Sequence, residues 1–342
     1  MNDGRQAPTL ADVAARAQVS TATVSRCINF PDRVAEDTRQ RVTEAINDLG
    51  YSPNFGARVM AARRTMTVGA IIPTMENAIF ARGLQAFQEE LGNHGYTLLV
   101  ASSSYRADLE RDQIKALVAR GADALLLIGH DRDPEIYRFL EARQIPVLVT
   151  WAFDPAAPRP SVGFDNRAAM RALADRVIGL GHRNLGLISA EIASNDRARA
   201  RRDGILDAMA AAGLPRDALT VIETPYGIET GAEAFDTLMQ RDAPPTAVLC
   251  ANDVLAVGAL RRARELGLEV PDDVSITGFD DIELAQVALP ALTTVHVPHR
   301  DMGRRAARML VAALEGGPAP EPTLLQATLT MRDSLGPVPK PG

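Results

Sequence analysis

Residues 9–29 read TLADVAARAQVSTATVSRCIN, and the way the chain begins is decided there. Thr9 stands three residues before Asp12, a capping-box variant with Asp in place of Glu, so a helix is predicted to start at this point. Leu10, Val13 and Ala14 follow as an apolar stripe at helical spacing. Gln18-Val19 interrupts that pattern and Ser20 offers a second cap. A second helix is predicted over residues 21–28, with Val24 and Ile28 facing inward and Cys27 beside them as a small packing residue. Two short helices joined by a tight turn make a helix-turn-helix.

In that motif the first residues of the second helix reach base edges in the major groove. Here they are Thr21 and Ala22, followed one turn on by Ser25 and Arg26. Arg26 is the candidate for a bidentate guanine contact, a pairing worth about 1–3 kcal/mol of discrimination. Ser20, Thr23 and Ser25 can equally bond phosphates, which sets register without reading sequence. A small helical bundle with no DNA partner would show the same pattern. A third helix is predicted within AEDTRQRVTEAINDLGY, where Val42, Ala45, Ile46 and Leu49 are spaced to cover the first two. Pro53 then suits the first position of a short helix that carries Met60 among basic residues and ends in Arg63-Arg64.

TLADVAARAQVSTATVSRCIN, TRQRV and LGYSPNFGARVMA resemble, without a gap, the DNA-binding head of the lactose-repressor (LacI/GalR) family of bacterial transcription regulators. The resemblance implies DNA contacts from Leu10, Ser20, Thr21, Ala22, Thr23, Ser25, Arg26, Asn29, Asn54, Ala57, Arg58 and Met60. It makes residues 1–52 the helix-turn-helix domain. Residues 53–66 become a hinge helix and linker, folding on the operator and pairing with the copy from a second subunit. Met60 stands where the family wedges a leucine into the minor groove, and methionine is among the side chains that act as such wedges. Ala22 cannot hydrogen-bond a base and at most touches a thymine methyl.

From Thr67 the pattern changes. TVGAIIP, YTLLVAS, ADALLLIG, IPVLVTW, NLGLISA, TAVLCAND and DVSITGFDD read as buried strands, and helix-like stretches such as IFARGLQAFQEELGNHGY lie between them. Strands alternating with helices predict a parallel sheet covered on both faces. Ligands then bind beyond the strands' C-terminal ends, so the polar residues just after each strand are the ones to inspect. PSVGFDNRAA, GLGHRNLGLI, RARRDGILDAMAAAGL, the long stretch from PTAVLCANDV to SITGFDDIE, and LPALTTVHVP extend the family resemblance over nearly the whole body.

The fold so implied is an α/β body like the periplasmic sugar-binding proteins, with two doubly wound parallel-sheet subdomains. The body runs over residues 67–342, with lobe one about 67–164 plus 296–326 and lobe two about 165–295 plus 327–336. Crossings between lobes are expected near Phe164, Val295 and Gln326. Carried over residue by residue, the resemblance makes Arg201, Asn252 and Asp280 effector contacts and Phe80 a pocket wall. Trp151 takes the place of an aspartate that bonds a sugar hydroxyl in many relatives. Losing that negative charge, beside Arg197, Arg199, Arg201 and Arg202, favours an acidic effector such as gluconate over a neutral sugar. The nine Phe, five Tyr and single Trp are few for 342 residues, which gives weight to Phe80, Trp151 and Phe153 near the expected mouth.

Composition narrows the rest. The chain is 46% hydrophobic and 23% charged, ordinary for a soluble globular protein. Residues 1–64 hold nine arginines and no lysine and are net basic, while the body carries the acidic excess behind the overall −6. Only the head is therefore expected to approach a polyanion. Two cysteines without a CxxC pattern support neither a disulfide framework nor a zinc site. No apolar run reaches the roughly 18 residues of a membrane span, and the N-terminus lacks an apolar signal core. A cytoplasmic protein with no membrane partner, no metal and no cofactor is expected.

A small-molecule binding protein or an enzyme of the same α/β fold, without DNA regulation, is the rival reading; a binding protein of the periplasmic type would need export and would not carry a helix-turn-helix. Asp280-Asp281 could form a carboxylate pair, and His182 or His299 a base. No HExxH, P-loop or nucleophile elbow joins them, and GLGHRN fails GxGxxG at its last position. His182 is expected to cap or lie on the surface of a helix-to-strand turn. The closing LGPVPKPG cannot form a leucine-heptad tail, so a homodimer on a near-palindromic operator is expected, its grip set by the effector through the angle between lobes.

Overall fold

A computed structural model describes residues 7–29, 31–52, 64–76 and 78–339. The chain divides into two units, Met1–Thr65 and Met66–Gly342. In the first, α1 (Leu10–Ala17), α2 (Thr21–Asn29) and α3 (Glu36–Leu49) enclose a small core. The capping box closes in both directions: the Thr9 hydroxyl accepts from the Asp12 N–H at 3.3 Å, and the Asp12 carboxylate accepts from the Thr9 N–H at 2.8 Å. Gln18 ends α1 in the left-handed conformation, and the Ser20 hydroxyl starts α2 by accepting from the Thr23 N–H at 3.1 Å. Val13, Val24 and Val42, one from each helix, are buried together with Cys27 and Ala45. Leu10, Ile28, Ile46 and Leu49 cover the edge of that core, half-buried.

The second unit holds two parallel sheets. The larger contains β1 (Thr67–Ile72), β2 (Thr97–Ser102), β3 (Ala124–Ile128), β4 (Val147–Thr150), β5 (Ser161–Gly163) and β11 (Thr323–Leu324), in the order β11-β5-β4-β3-β1-β2. The smaller contains β6 (Leu185–Ser189), β7 (Leu219–Glu223), β8 (Ala247–Cys250) and β9 (Ser275–Thr277), in the order β7-β6-β8-β9. Between them, β10 (Thr294–His296) pairs antiparallel with β12 (Thr328–Thr330). Phe164 directly follows β5, Val295 lies in β10 opposite Leu329, and Gln326 lies between β11 and β12. The strand order reverses direction at β1/β3 in one sheet and β6/β8 in the other, the places where such sheets open a crevice.

Strand alternation is strict because both faces are covered. Val68, Ala70 and Ile72 of β1 and Leu126 and Ile128 of β3 face one core, while Ile71, Leu125 and Leu127 face the other. The first core is roofed by α4 (Ala78–Asn93) and α12 (His299–Leu314), the second by α5 (Ala107–Ala119) and α6 (Pro134–Glu141). In the smaller sheet Leu185, Leu187 and Leu249 meet α7 (Asn166–Gly179) and α8 (Asp196–Ala211). Ile188, Val248 and Cys250 meet α9 (Ile228–Met239) and α10 (Asp253–Glu265). A short α11 (Glu283–Val287) follows β9.

The helices pack in pairs through glycine. A Cβ on Gly303 of α12 would stand 2.0 Å from the Gly83 carbonyl oxygen of α4, and one on Gly204 of α8 would stand 2.2 Å from the Arg167 carbonyl of α7. Gly258 of α10 repeats the arrangement at 2.0 Å from the Ile228 carbonyl of α9. Each lobe is thus a stiff block whose backbones touch. Gly258→Ala is expected to lower the unfolding free energy in urea by about 1–3 kcal/mol, overpacking outweighing alanine's better helix propensity. Gly92→Ala on α4, where nothing lies within 4 Å, should gain up to about 1 kcal/mol in the same assay. A gain at both positions would show that α9 and α10 do not touch there.

Candidate functional site

In the first unit, α2 presents Thr21, Ala22 and Arg26 exposed, with Thr23 and Ser25 half-buried beside them. The Ser20 and Thr23 hydroxyls lie 2.9 Å apart in the cap, so both are held at the helix N-terminus, where the N–H groups favour an anion such as phosphate. Leu10 packs against the core from α1. The expected contacts Asn54, Ala57, Arg58 and Met60 lie outside the described residues, as does the side chain of Asn29.

In the second unit, one buried pocket is lined by all five side chains expected to meet an effector: Phe80, Trp151, Arg201, Asn252 and Asp280. They arrive from separate elements. Phe80 sits in the first turn of α4, Trp151 follows β4, Arg201 lies on α8, Asn252 caps α10 after β8, and Asp280 follows β9. Four further lining residues were not anticipated as contacts: Ile79, Tyr105, Asn195 and Tyr226. Tyr105 follows β2, Asn195 follows β6 and Tyr226 follows β7, so each obeys the strand-end rule.

Arg201 organises the pocket. Its Nε donates to Asn166 Oδ1 at 2.9 Å, its Nη1 donates to the Ala251 carbonyl, and the guanidinium lies 3.7 Å from the Phe279 ring centroid. Its Nη2 stands 3.7 Å from Asp280 Oδ1, near enough for attraction and too far for a hydrogen bond. Asn166 in turn donates to the Trp151 carbonyl at 2.9 Å, tying the tryptophan to the arginine through one amide. The Trp151 ring meets Phe80 edge-on with centroids 5.3 Å apart, in space left by the missing side chain of Gly83.

Three buried polar atoms of the lining have no hydrogen-bond partner: Trp151 Nε1, Asn252 Nδ2 and Asp280 Oδ1. Asn252 spends its oxygen on the Leu255 N–H, which leaves its amide hydrogens for something else. The lining thus presents two unpartnered donors and one unpartnered carboxyl oxygen. Burial pushes the Asp280 carboxyl up to about 7, against the pull of Arg201 and Arg197. His299, on α12, is pushed down to about 4 by burial; its neutral ring donates from Nε2 to the Asp280 carbonyl at 3.2 Å. Burial and the charge of Asp280 also raise Asp253, which accepts from the Thr294 hydroxyl at 2.6 Å and the Ile282 N–H at 2.8 Å.

Several other expectations resolve differently. Asp280 and Asp281 do not act as a pair, because Asp281 turns to Arg332 at 2.6 Å and His296 at 2.9 Å. His182 is fully buried and neither caps nor faces solvent; its ring bonds Thr246 at 2.9 Å and the Gly336 carbonyl at 3.1 Å. Of the basic cluster only Arg197, itself paired with Asp196 at 2.8 Å, lines the pocket besides Arg201; Arg199 pairs with Asp131 and Arg202 with Asp203. Phe153 is not among the lining residues. No group of His, Cys, Asp and Glu suited to a metal occurs among the described residues, and no described helix is long and apolar enough to cross a membrane.

The pocket holds only about 20 Å³ of free space, room for about one water. It opens past Tyr105, Asn195 and Tyr226 into an outer chamber of about 830 Å³ between the sheets. Polar contacts close the cleft: the His130 N–H to Asp196 at 2.5 Å, Arg199 to Asp131 at 2.6 Å, and Arg82 to Glu283 at 2.9 Å.

Residues 9–54 match the family described as bacterial regulatory proteins, lacI family, and residues 174–335 match the periplasmic binding protein-like domain. The chain is 33% identical over 311 residues to the HTH-type transcriptional repressor CytR of Escherichia coli strain K12, covering 91% of each. Among solved structures it resembles the lac repressor dimer bound to operator and the anti-inducer ONPF, with TM-score 0.85, 25% identity, and 97% and 100% of the two chains covered. It also resembles the CelR–cellobiose complex, with TM-score 0.70 and 30% identity over 96% and 99% of the chains. A three-helix DNA-reading head followed by a two-sheet body with a convergent pocket thus places the chain in the LacI family of DNA-binding transcriptional regulators.

Proposed function

We propose that the protein is a cytoplasmic, homodimeric repressor of carbohydrate or sugar-acid metabolism genes. It would bind a near-palindromic operator and respond to a sugar or sugar acid such as gluconate. The observation that carries this reading is the buried pocket whose Trp151 Nε1, Asn252 Nδ2 and Asp280 Oδ1 stand open while Arg201 is already anchored. Two open donors, with Arg201 close by and Arg197 held by Asp196, suit an acceptor-rich head such as a carboxylate. The reported complexes of CelR with cellobiose and of the lac repressor dimer with operator support a sugar-sized effector and a dimer. Binding without turnover is supported by the engagement of Asp281 with Arg332 and of His299 with a backbone carbonyl, which leaves no acid–base pair at the pocket.

Coupling follows from volume. A sugar ring cannot enter about 20 Å³ of space, so the two lobes, about 67–164 plus 296–326 and about 165–295 plus 327–336, must part to admit it. That parting strains or breaks the His130–Asp196, Asp131–Arg199 and Arg82–Glu283 contacts. Effector and operator then change each other's affinity by one common factor, typically about 5–150-fold.

Arg26→Ala is expected to weaken the operator selected from random DNA by about 1–3 kcal/mol and to relax preference at one base pair. Unchanged selectivity at every position would remove Arg26 from base reading. The single tryptophan reports the pocket directly, so gluconate should change its fluorescence, whereas silence alongside a response to neutral sugar would end the sugar-acid reading. An anion is repelled by ionised Asp280 and tolerated by the protonated form. Gluconate affinity should therefore rise as pH falls from about 8 to 6, by up to about tenfold for a carboxyl near 7, and Asp280→Asn should flatten the profile. Arg199→Ala removes a half-exposed closing contact and is expected to tighten effector binding by up to about fivefold; weaker binding would show that the effector prefers closed lobes.

A further inference from the structure

We infer that the outer chamber is a second effector subsite and that the full effector is an aldobionic acid: an acid head in the inner pocket joined to a neutral sugar ring lodged outside it. The inference rests on the reading of the inner pocket as an acid-head site, and it adds the part of the ligand that the inner pocket cannot hold.

Size carries the first step. The outer chamber offers about 830 Å³ against about 20 Å³ inside, and the two share Tyr105, Asn195 and Tyr226. A head drawn to the inner donors leaves any second ring between these shared residues and the mouth. The two tyrosine rings stand 5.5 Å apart at a tilt of 54°, one from each sheet's side of the cleft. Aromatic faces of this kind cover the C–H side of a sugar ring, while their hydroxyls serve its edge.

Charge carries the second step. The inner lining holds two arginines, Arg201 and Arg197 (the latter paired with Asp196 at 2.8 Å), against one carboxyl, Asp280, whereas the outer lining holds Glu76, Glu191 and Glu223 and, among the described residues, no arginine or lysine. Glu223 accepts from the Ile192 N–H at 2.8 Å and Glu191 from the Ser194 hydroxyl, so each keeps acceptor capacity for ligand hydroxyls. Compared with its floor, the lining is thus the more acidic at its mouth, where carboxylates stand without a cation. An anionic tail is repelled there, and a neutral hydroxylated ring is matched.

The test uses the full-length protein and three probes followed by tryptophan fluorescence and calorimetry: gluconate, cellobionate and cellobiose. Cellobionate is expected to bind at least tenfold tighter than gluconate, and cellobiose weakest. Thr224→Trp places a bulky ring in the outer chamber at a residue that is not part of the inner lining. It should bring cellobionate to the affinity of gluconate while leaving gluconate binding and the melting temperature unchanged, the retained gluconate binding serving as the check on folding. Equal affinities of the two acids in the unaltered protein would overturn the outer subsite alone. Binding of cellobiose with neither acid bound would overturn both the subsite and the acid-head reading beneath it. Loss of gluconate and cellobionate alike in a well-folded Thr224→Trp variant would show one undivided cavity and overturn the division proposed.

Discussion

A guanidinium buried away from water must be met by acceptors, and the pocket of this regulator is arranged around how Arg201 meets them. One side is satisfied by the Ala251 carbonyl, another by Asn166, and its face rests on Phe279. Those partners come from the end of β8, the start of α7 and the end of β9, so a single charge pins three connections of the smaller sheet. Asn166 then carries the linkage to the carbonyl of Trp151, at the end of β4 in the larger sheet. With the arginine anchored this way, Asp280 is held close without being consumed, and its carboxyl stays near neutrality instead of fully ionised. A tighter Arg201–Asp280 bond would stabilise the empty pocket and leave less for a ligand to gain.

The stiffness of each lobe and the softness between them have different origins. Within lobes, helix backbones meet at Gly83, Gly204, Gly258 and Gly303, and both faces of every central strand are covered. Between lobes, the closing ion pairs are partly hydrated: the side chains of Arg82 and Glu283 are 33% and 86% exposed, and those of Arg199 and Asp131 36% and 37%.

How much of this was legible in the sequence follows from how local each signal is. The capping box at Thr9 and Asp12, and apolar runs such as TVGAII and ALLLI, write their structure into a few consecutive residues. The five expected pocket residues were reached through strand ends and family likeness together. Tyr226 was missed because β7 is an edge strand, half-exposed along LTVIE, with no apolar run to mark it. Tyr105 sits in the left-handed conformation at φ 57°, a placement that composition does not announce. Arg199 was counted toward pocket charge because sequence hides Asp131, 68 residues away, that neutralises it, and Arg202 because its pairing with the adjacent Asp203 was not weighed. His182 was placed at a surface turn, yet it holds the returning C-terminal segment through Gly336, a contact 154 residues away in the chain.

The energetics of the response are set by these weak closing contacts. An exposed or half-exposed ion pair contributes about 0.2–1 kcal/mol, and the rim of the cleft carries two such pairs and one charge-assisted hydrogen bond from the His130 N–H to Asp196, besides the buried bonds of Asn166 to the Trp151 carbonyl and of His299 to the Asp280 carbonyl. Together the three rim contacts amount to about 2–5 kcal/mol, taking about 1.5–3 for the last. A coupling of about 5–150-fold between two ligands corresponds to about 1–3 kcal/mol. The rim contacts alone are thus of the same size as such a coupling. Stronger, dry ion pairs would lock the lobes against any sugar-sized ligand. Their absence would leave the cleft open whether or not effector was present, and a ligand with nothing to shift carries no signal.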